Sequence, residues 1–151
     1  MIRRTADPGF ANEVVNHPDV ARWVRGPIRG QLDLAPILAD KRNITLQGEH
    51  GICIFALRVP GVYEWHAAVR PEGHGRWALH AARSAVAWLF ENTAAVAIIA
   101  GIPQTNRSAR YIVSLVGFHV KQVLPSAWEE PSGERVALHV YVLTRLEWGV
   151  Q

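Results

Sequence analysis

Val69-Arg70-Pro71-Glu72-Gly73-His74-Gly75-Arg76-Trp77 joins a stretch that alternates like a strand to one that repeats like a helix. Residues 62–69 alternate at the two-residue period of a strand, and Leu79, Ala82, Val86, Leu89 and Phe90 recur at the spacing of one helical face. The two glycines therefore stand at a helix N-terminus, where backbone N–H groups lack intrahelical partners and the helix dipole is positive. Acidic side chains suit that position, yet the chain surrounds it with Arg70, His74 and Arg76. Cations gathered on a positive helix end fit an anion held between them, most simply a pyrophosphate. The other reading is a plain strand-to-helix turn with strain-relieving glycines and solvated arginines.

Further along, the apolar run at residues 94–102 leads into Asn106-Arg107-Ser108-Ala109-Arg110-Tyr111, and that segment closes on Gly117-Phe118. Arg70-x-x-Gly73-x-Gly75 resembles the acetyl-coenzyme A pyrophosphate loop of the GCN5-related N-acetyltransferases, the GNAT superfamily. The second segment is similar to that superfamily's next strand, its Asn-initiated helix and the Gly-Phe that opens a further strand. Together the two cover roughly residues 62–142. The resemblance implies an α/β (α+β) fold, with a mixed central sheet whose middle strands splay, flanked by helices, as a single domain over residues 1–151. It implies an acetyl-CoA-dependent N-acetyltransferase that passes the acetyl group directly to an amine: a peptide N-terminus, a lysine or a small amine. Acetyl-CoA would lie on Ala68, Val69, Arg70, Gly73, His74, Gly75, Arg76, Trp77 and Asn106, with no metal. A noncatalytic acyl-CoA-binding or protein-interaction module of the same fold is the alternative, and a homodimer is compatible with either. Asn16-His17-Pro18-Asp19-Val20-Ala21-Arg22-Trp23 is faintly similar to the opening of ribosomal-protein N-terminal acetyltransferases and of acetyltransferase-like proteins encoded by phages.

Composition fits this reading. At 151 residues the chain is one domain long, and 49% hydrophobic content suits a packed core rather than disorder. No apolar run approaches the ~20 residues of a membrane helix, and residues 1–8 lack the apolar core of a secretory signal, so a cytoplasmic protein is expected. The single Cys53 lies in an apolar run and reads as a buried small side chain. A net charge of +3 without a block of basic residues gives no argument for nucleic acid. The seven histidines show no metal spacing.

Along the chain, Asp7 with Pro8 can open a helix, Pro18 a second, and residues 32–39 a third, bent or broken at Pro36. Residues 44–47, 52–59 and 62–69 read as strands joined by tight turns. The family's usual opening strand has a poor counterpart in residues 2–5. After the helix of residues 106–117, two strands are expected, joined by a long loop at residues 125–133.

Strand parity puts Tyr63, Trp65, Ala67 and Val69 on one face and Glu64, His66 and Ala68 on the other. Glu64 and His66 are thereby neighbours, and an ammonium acceptor must lose a proton before it attacks a thioester, which an imidazole beside a carboxylate can remove. The alternative is a hydrogen-bonded histidine on a half-buried strand. The superfamily's frequent thiolate-protonating tyrosine falls at Ile112, one residue or about 100° of helix from Tyr111. Tyr111 is the acid candidate, its other reading being a core tyrosine with its hydroxyl on a partner; Ser108 is a weaker donor. In the long loop, Trp128, Glu129 and Glu130 are candidates for receiving a cationic amine, against a Trp that covers a core edge and glutamates that face water. His139 and Tyr141 share the polar face of the last strand and are expected in solvent.

Overall fold

The structure is a computed structural model, and it describes residues 2–151. Seven strands form one sheet in the order β1-β2-β3-β4-β5-β7-β6. They are β1 (Arg3–Arg4), β2 (Asn43–Gln47), β3 (Gly51–Val59), β4 (Val62–Val69), β5 (Ala97–Pro103), β6 (His119–Glu129) and β7 (Arg135–Thr144). All neighbours are antiparallel except β4 and β5. The helices are α1 (Pro8–Val15), α2 (Pro18–Arg25), α3 (Ala35–Ala39), α4 (Arg76–Asn92), α5 (Arg107–Val116) and α6 (Arg145–Gly149). This is a mixed sheet flanked by helices, and its middle strands do splay.

Strand parity creates two cores. On one face Leu46, Cys53, Phe55, Trp65 and Ile98 pack against Ala82, Val86 and Leu89 of α4 and Val113 and Val116 of α5. On the other, Ile52, Ile54 and Ala68 pack against Ala11, Val14 and Val15 of α1, with Val20 of α2 and Leu38 of α3. Ala82, Val86, Leu89 and Phe90 of α4 are buried as its spacing predicts, Ala85 joins them, and Leu79 lies at the margin. Cys53 is buried, and burial pushes its thiol up to about 12, which fits a packing residue.

Three expectations are corrected, and one element is added. Residues 2–5 do supply an opening strand: Arg3 and Arg4 pair with Gln47 and Leu46, and the Thr5 N–H donates to Thr45 O at 3.0 Å. Backbone pairing on the free edge of β2 suffices, although both arginines are exposed. Pro36 sits in the first turn of α3, where its missing N–H costs nothing, so it starts the helix rather than bending it. Residues 125–133 are not a long loop, because β6 continues to Glu129 and only residues 130–134 turn. Pro125 is accommodated by an irregularity between Leu124 and Trp128, with Ser126 at φ 55, on a strand whose outer edge is free. Finally, a short helix, α6, follows β7 at a position for which no element was expected. Its signal is Thr144-x-x-Glu147, a reciprocal cap in which Thr144 Oγ1 accepts from the Glu147 N–H and bonds its carboxylate at 2.8 Å. No helix among the described residues is long and apolar enough to cross a membrane.

Candidate functional site

β4 and β5 pair only at Val62↔Ala97, Tyr63↔Ile98 and Glu64↔Ile99; beyond Glu64 they part. The Arg70 N–H donates to His50 O at 2.8 Å, so the ladder bonds of β4 to β3 fall at Arg70 and, alternating, at Ala68 and His66. On the other side Gly61 O accepts from the Val96 and Ala97 N–H groups of the β5 approach. By the same alternation, the N–H and C=O groups of Trp65, Ala67 and Val69 point into the opened seam. Ala68 therefore faces β3, and the strand edge left free along the seam belongs to Ala67 and Val69; parity alone could have said so. His74 Nε2 lies 3.3 Å from Val69 O, at the mouth of the seam.

α4 begins at that mouth, after a 3₁₀ turn at Pro71–Gly73. Gly75 occupies its cap position at φ 81, and no side chain caps the helix. No acid lies in its first turn, and the N–H groups of Gly75, Arg76, Trp77 and Ala78 have no partner among the described residues. The other helices of eight or more residues are capped: α1 by Asp7, α2 by His17 and α5 by Asn106. α4 is the longest at 17 residues, and its positive end is left to solvent.

The two glycines do different work. A Cβ on Gly75 would meet nothing within 4 Å, so only its left-handed backbone and the open space in front of it require glycine. A Cβ on Gly73 would stand 2.5 Å from His50 Cβ and 2.8 Å from Val69 Cγ1, so Gly73 is a packing glycine. Its N–H already donates to Arg70 O, and that of His74 to Pro71 O. Arg70 also leaves the cradle: its guanidinium bonds Glu13 of α1 and Glu49 O, both at 3.0 Å, and lies over the Phe10 ring. The Trp77 indole packs on His50 and over Gly48 rather than along the seam. Arg76 is exposed beside the free N–H groups.

On the α1–α2 side of the sheet the structure brings Glu64 and His66 together, with Oε1 to Nε2 at 3.1 Å. A third member was missed. Arg58, in the irregularity of β3 between Leu57 and Val59, donates from Nε to Glu64 Oε2 at 2.5 Å. Burial pushes the His66 imidazole below its ordinary value; Glu64 acts to raise it and Arg58 to lower it. A half-exposed imidazole kept neutral by its surroundings can accept a proton near neutral pH.

α5 presents three faces. Ala109, Val113 and Val116 lie toward the core. Leu115, whose carbonyl accepts from Arg83 of α4, marks the α4 side, which Ser108 and Ile112 share by helical spacing. Arg107, Arg110, Tyr111 and Ser114 face β7, where the Arg110 Nε–H donates to the Tyr141 hydroxyl at 3.1 Å. Tyr111 is 66% exposed, so it is not a core tyrosine, and it is not brought to the Glu64–His66 pair. One residue of rotation separates it from Ile112, which packs against the core. Tyr141 is the buried tyrosine, at 3% exposure, because α5 covers the end of the sheet that sequence alone left open. His139 is partly covered as well. Asn106 Oδ1 accepts from the Ala109 N–H and the Ser108 hydroxyl, as a cap does.

Trp128 and Glu129 at the end of β6 lie against Gly26 at the end of α2. Glu129 sits 3.9 Å from Arg135, and Glu130, expected in water, is buried with Oε1 accepting from the Thr105 hydroxyl. Among the described residues no group of three or more His, Cys, Asp or Glu gathers as metal ligands would.

Solved structures share this architecture. A spermidine N-acetyltransferase from Vibrio cholerae, in complex with CoA and spermine, superposes with a TM-score of 0.82 at 13% identity, covering 98% of this chain and 96% of that one. An acetyltransferase of the GNAT family from Bacillus anthracis gives 0.76 at 16% identity, covering 97% and 95%. An aminoglycoside acetyltransferase in complex with coenzyme A gives 0.76 at 16% identity, covering 100% and 98%. No curated protein sequence matches the chain. Residues 43–150 match the family described as Protein of unknown function (DUF2824). The opened seam and the residues around it lie within that match, and the chain is a member of this DUF2824 family, built on the fold of the GNAT acetyltransferases.

Proposed function

We propose that the protein is an acetyl-CoA-dependent N-acetyltransferase, working as one domain over residues 1–151. The observation that carries the reading is the uncapped N-terminus of α4 at the mouth of the β4–β5 seam: four free N–H groups and a helix dipole suited to a pyrophosphate, beside strand edges suited to an extended amide chain. The CoA bound in solved structures of the same fold supports the same ligand class. Gly75, Arg76, Trp77 and Ala78 hold the pyrophosphate through their N–H groups, and Ala67 and Val69 hold the pantetheine amides. Arg76 and His74 add screened charge, and Asn106 serves as the cap of α5.

His66 takes the proton of the arriving ammonium, with Glu64 steadying the imidazolium so formed. The amine nitrogen then attacks the thioester carbonyl carbon. A backbone N–H in the seam stabilises the oxyanion; on collapse the C–S bond breaks, the nitrogen gives its second proton to water as the amide forms, and the thiolate takes a proton from water. Tyr111 faces away from this path and has no acid role in it. That same missing acid favours the second reading, a CoA-binding module without turnover. Incubating the protein with acetyl-CoA and an amine panel of N-terminal peptides, lysine peptides and diamines decides between them. Thiol release dependent on both an amine and His66 supports the enzyme; CoA binding without release supports the module.

A further inference from the structure

We propose that the groove between α5 and β7 is a second binding site, for a small phosphorylated ligand, separate from the α4 cradle. Two adjoining hollows, about 270 and 500 Å³, share Arg107 and Arg110 as a wall. Tyr111, Ser114 and Tyr141 line the smaller, Gln104, Thr105 and Val136 the larger. The groove is on the opposite side of α5 from α4 and from the seam, since Arg110 reaches Tyr141 of β7 while Arg83 of α4 reaches Leu115 on the other flank.

Its chemistry is cationic and prearranged. Among the described residues no carboxylate lies within 4.0 Å of Arg107 or Arg110. Arg110 is held in place by neutral acceptors, the Tyr141 hydroxyl and Gln104 O at 3.0 Å, so its full charge remains for a ligand. Glu130, bonded to Thr105 on the far wall, is turned into the protein by that bond. Tyr141 accepts from Arg110 and keeps its own O–H to donate, and beside its ring stands His139, whose buried Nδ1 has no partner. Two guanidinium forks beside a buried hydroxyl match a tetrahedral, multiply charged oxyanion better than a single carboxylate. The exposed Tyr111 ring adds an apolar wall for what the phosphate is attached to.

The test is calorimetric titration of the full chain with inorganic pyrophosphate, at low salt and with CoA present in excess. Binding that persists with CoA bound, weakens about tenfold or more in Arg107→Gln and is unchanged in Gly75→Val supports the groove. Among the described residues the Arg107 side chain makes no hydrogen bond or ion pair, so its loss leaves the fold's bonds in place and the variant stays informative; Arg110→Lys, checked by its melting temperature, gives the same answer from the other arginine. Loss of pyrophosphate binding on adding CoA, or unaltered affinity in both arginine variants, overturns the proposal. Should CoA itself not bind, the cradle reading fails separately, and the pyrophosphate titration without it still separates Arg107→Gln from Gly75→Val.

Discussion

The start of α4, just beyond the end of β4, and the α1–α2 face of β4 itself are built in different ways. At the α4 end, function rests on backbone: free N–H groups, an uncapped dipole and a strand edge left open where β5 departs. At the other face it rests on side chains from distant positions that already satisfy one another, Arg58 with Glu64 with His66 in a line. A backbone site is available before anything binds and tolerates change in most side chains around it. A side-chain site depends on partners that set its charge. The first should break only where the backbone is altered, and the second should respond in graded fashion to each partner.

The largest effect is expected at Gly75. Valine there must adopt φ near 81, which lowers stability by ~1–3 kcal/mol, and places a branched side chain where the ligand would lie, so CoA affinity of the folded protein should fall roughly a hundredfold. Gly73→Val is the contrast. Its Cβ meets His50 and Val69 below 3 Å, so it should lower stability by about 1–3 kcal/mol, seen as an earlier thermal transition. If folded Gly73→Val loses as much CoA affinity as folded Gly75→Val, the division between a ligand-facing and a packing glycine is wrong.

The side-chain face predicts opposite shifts from its two partners. Turnover needs neutral His66, so the rate falls on the acid side of the His66 pKa. Arg58 lowers that pKa, and Arg58→Gln should move the acid limb to higher pH; Glu64 raises it, and Glu64→Gln should move the limb to lower pH. Rate profiles across pH 5 to 9 read both, and shifts of the same sign would remove His66 as the base. Arg70→Ala is expected to matter less. Losing a partly exposed ion pair with Glu13 costs ~1 kcal/mol or less of stability, and CoA affinity should stay within about twofold. A tenfold loss of affinity would return Arg70 to the cradle. The smallest effect belongs to Glu129→Gln, about a twofold rise in the acceptor KM at low ionic strength that fades in salt, because the carboxylate is exposed and shared with Arg135.

What was legible in the sequence follows the same division. The strand before Gly73, the helix after Gly75 and the Asn106 cap depend on local spacing, and local spacing was enough to place them; the splayed seam followed from the family resemblance. Strand parity also put Glu64 beside His66. The rest depends on contacts far apart along the chain. Nothing near Arg70 announces Glu13, and nothing near Glu64 announces that an irregularity will carry Arg58 to it. Gly73 and Gly75 look alike until His50 is seen behind one of them. Tyr111 and Tyr141 exchanged their expected burial, because only the docking of α5 decides which of its faces covers β7. The Thr144–Glu147 cap was readable and went unread.

The central claim is that the backbone N–H groups at the start of α4 and along the seam hold CoA. Amide NMR during a CoA titration of the wild-type protein tests it most directly. The expected result is that the largest shifts fall on Gly75, Arg76, Trp77 and Ala78, with Ala67 and Val69 following and α1 to α3 almost still. Shifts concentrated on Arg107, Arg110 and Tyr111, with the α4 amides unmoved, would contradict it.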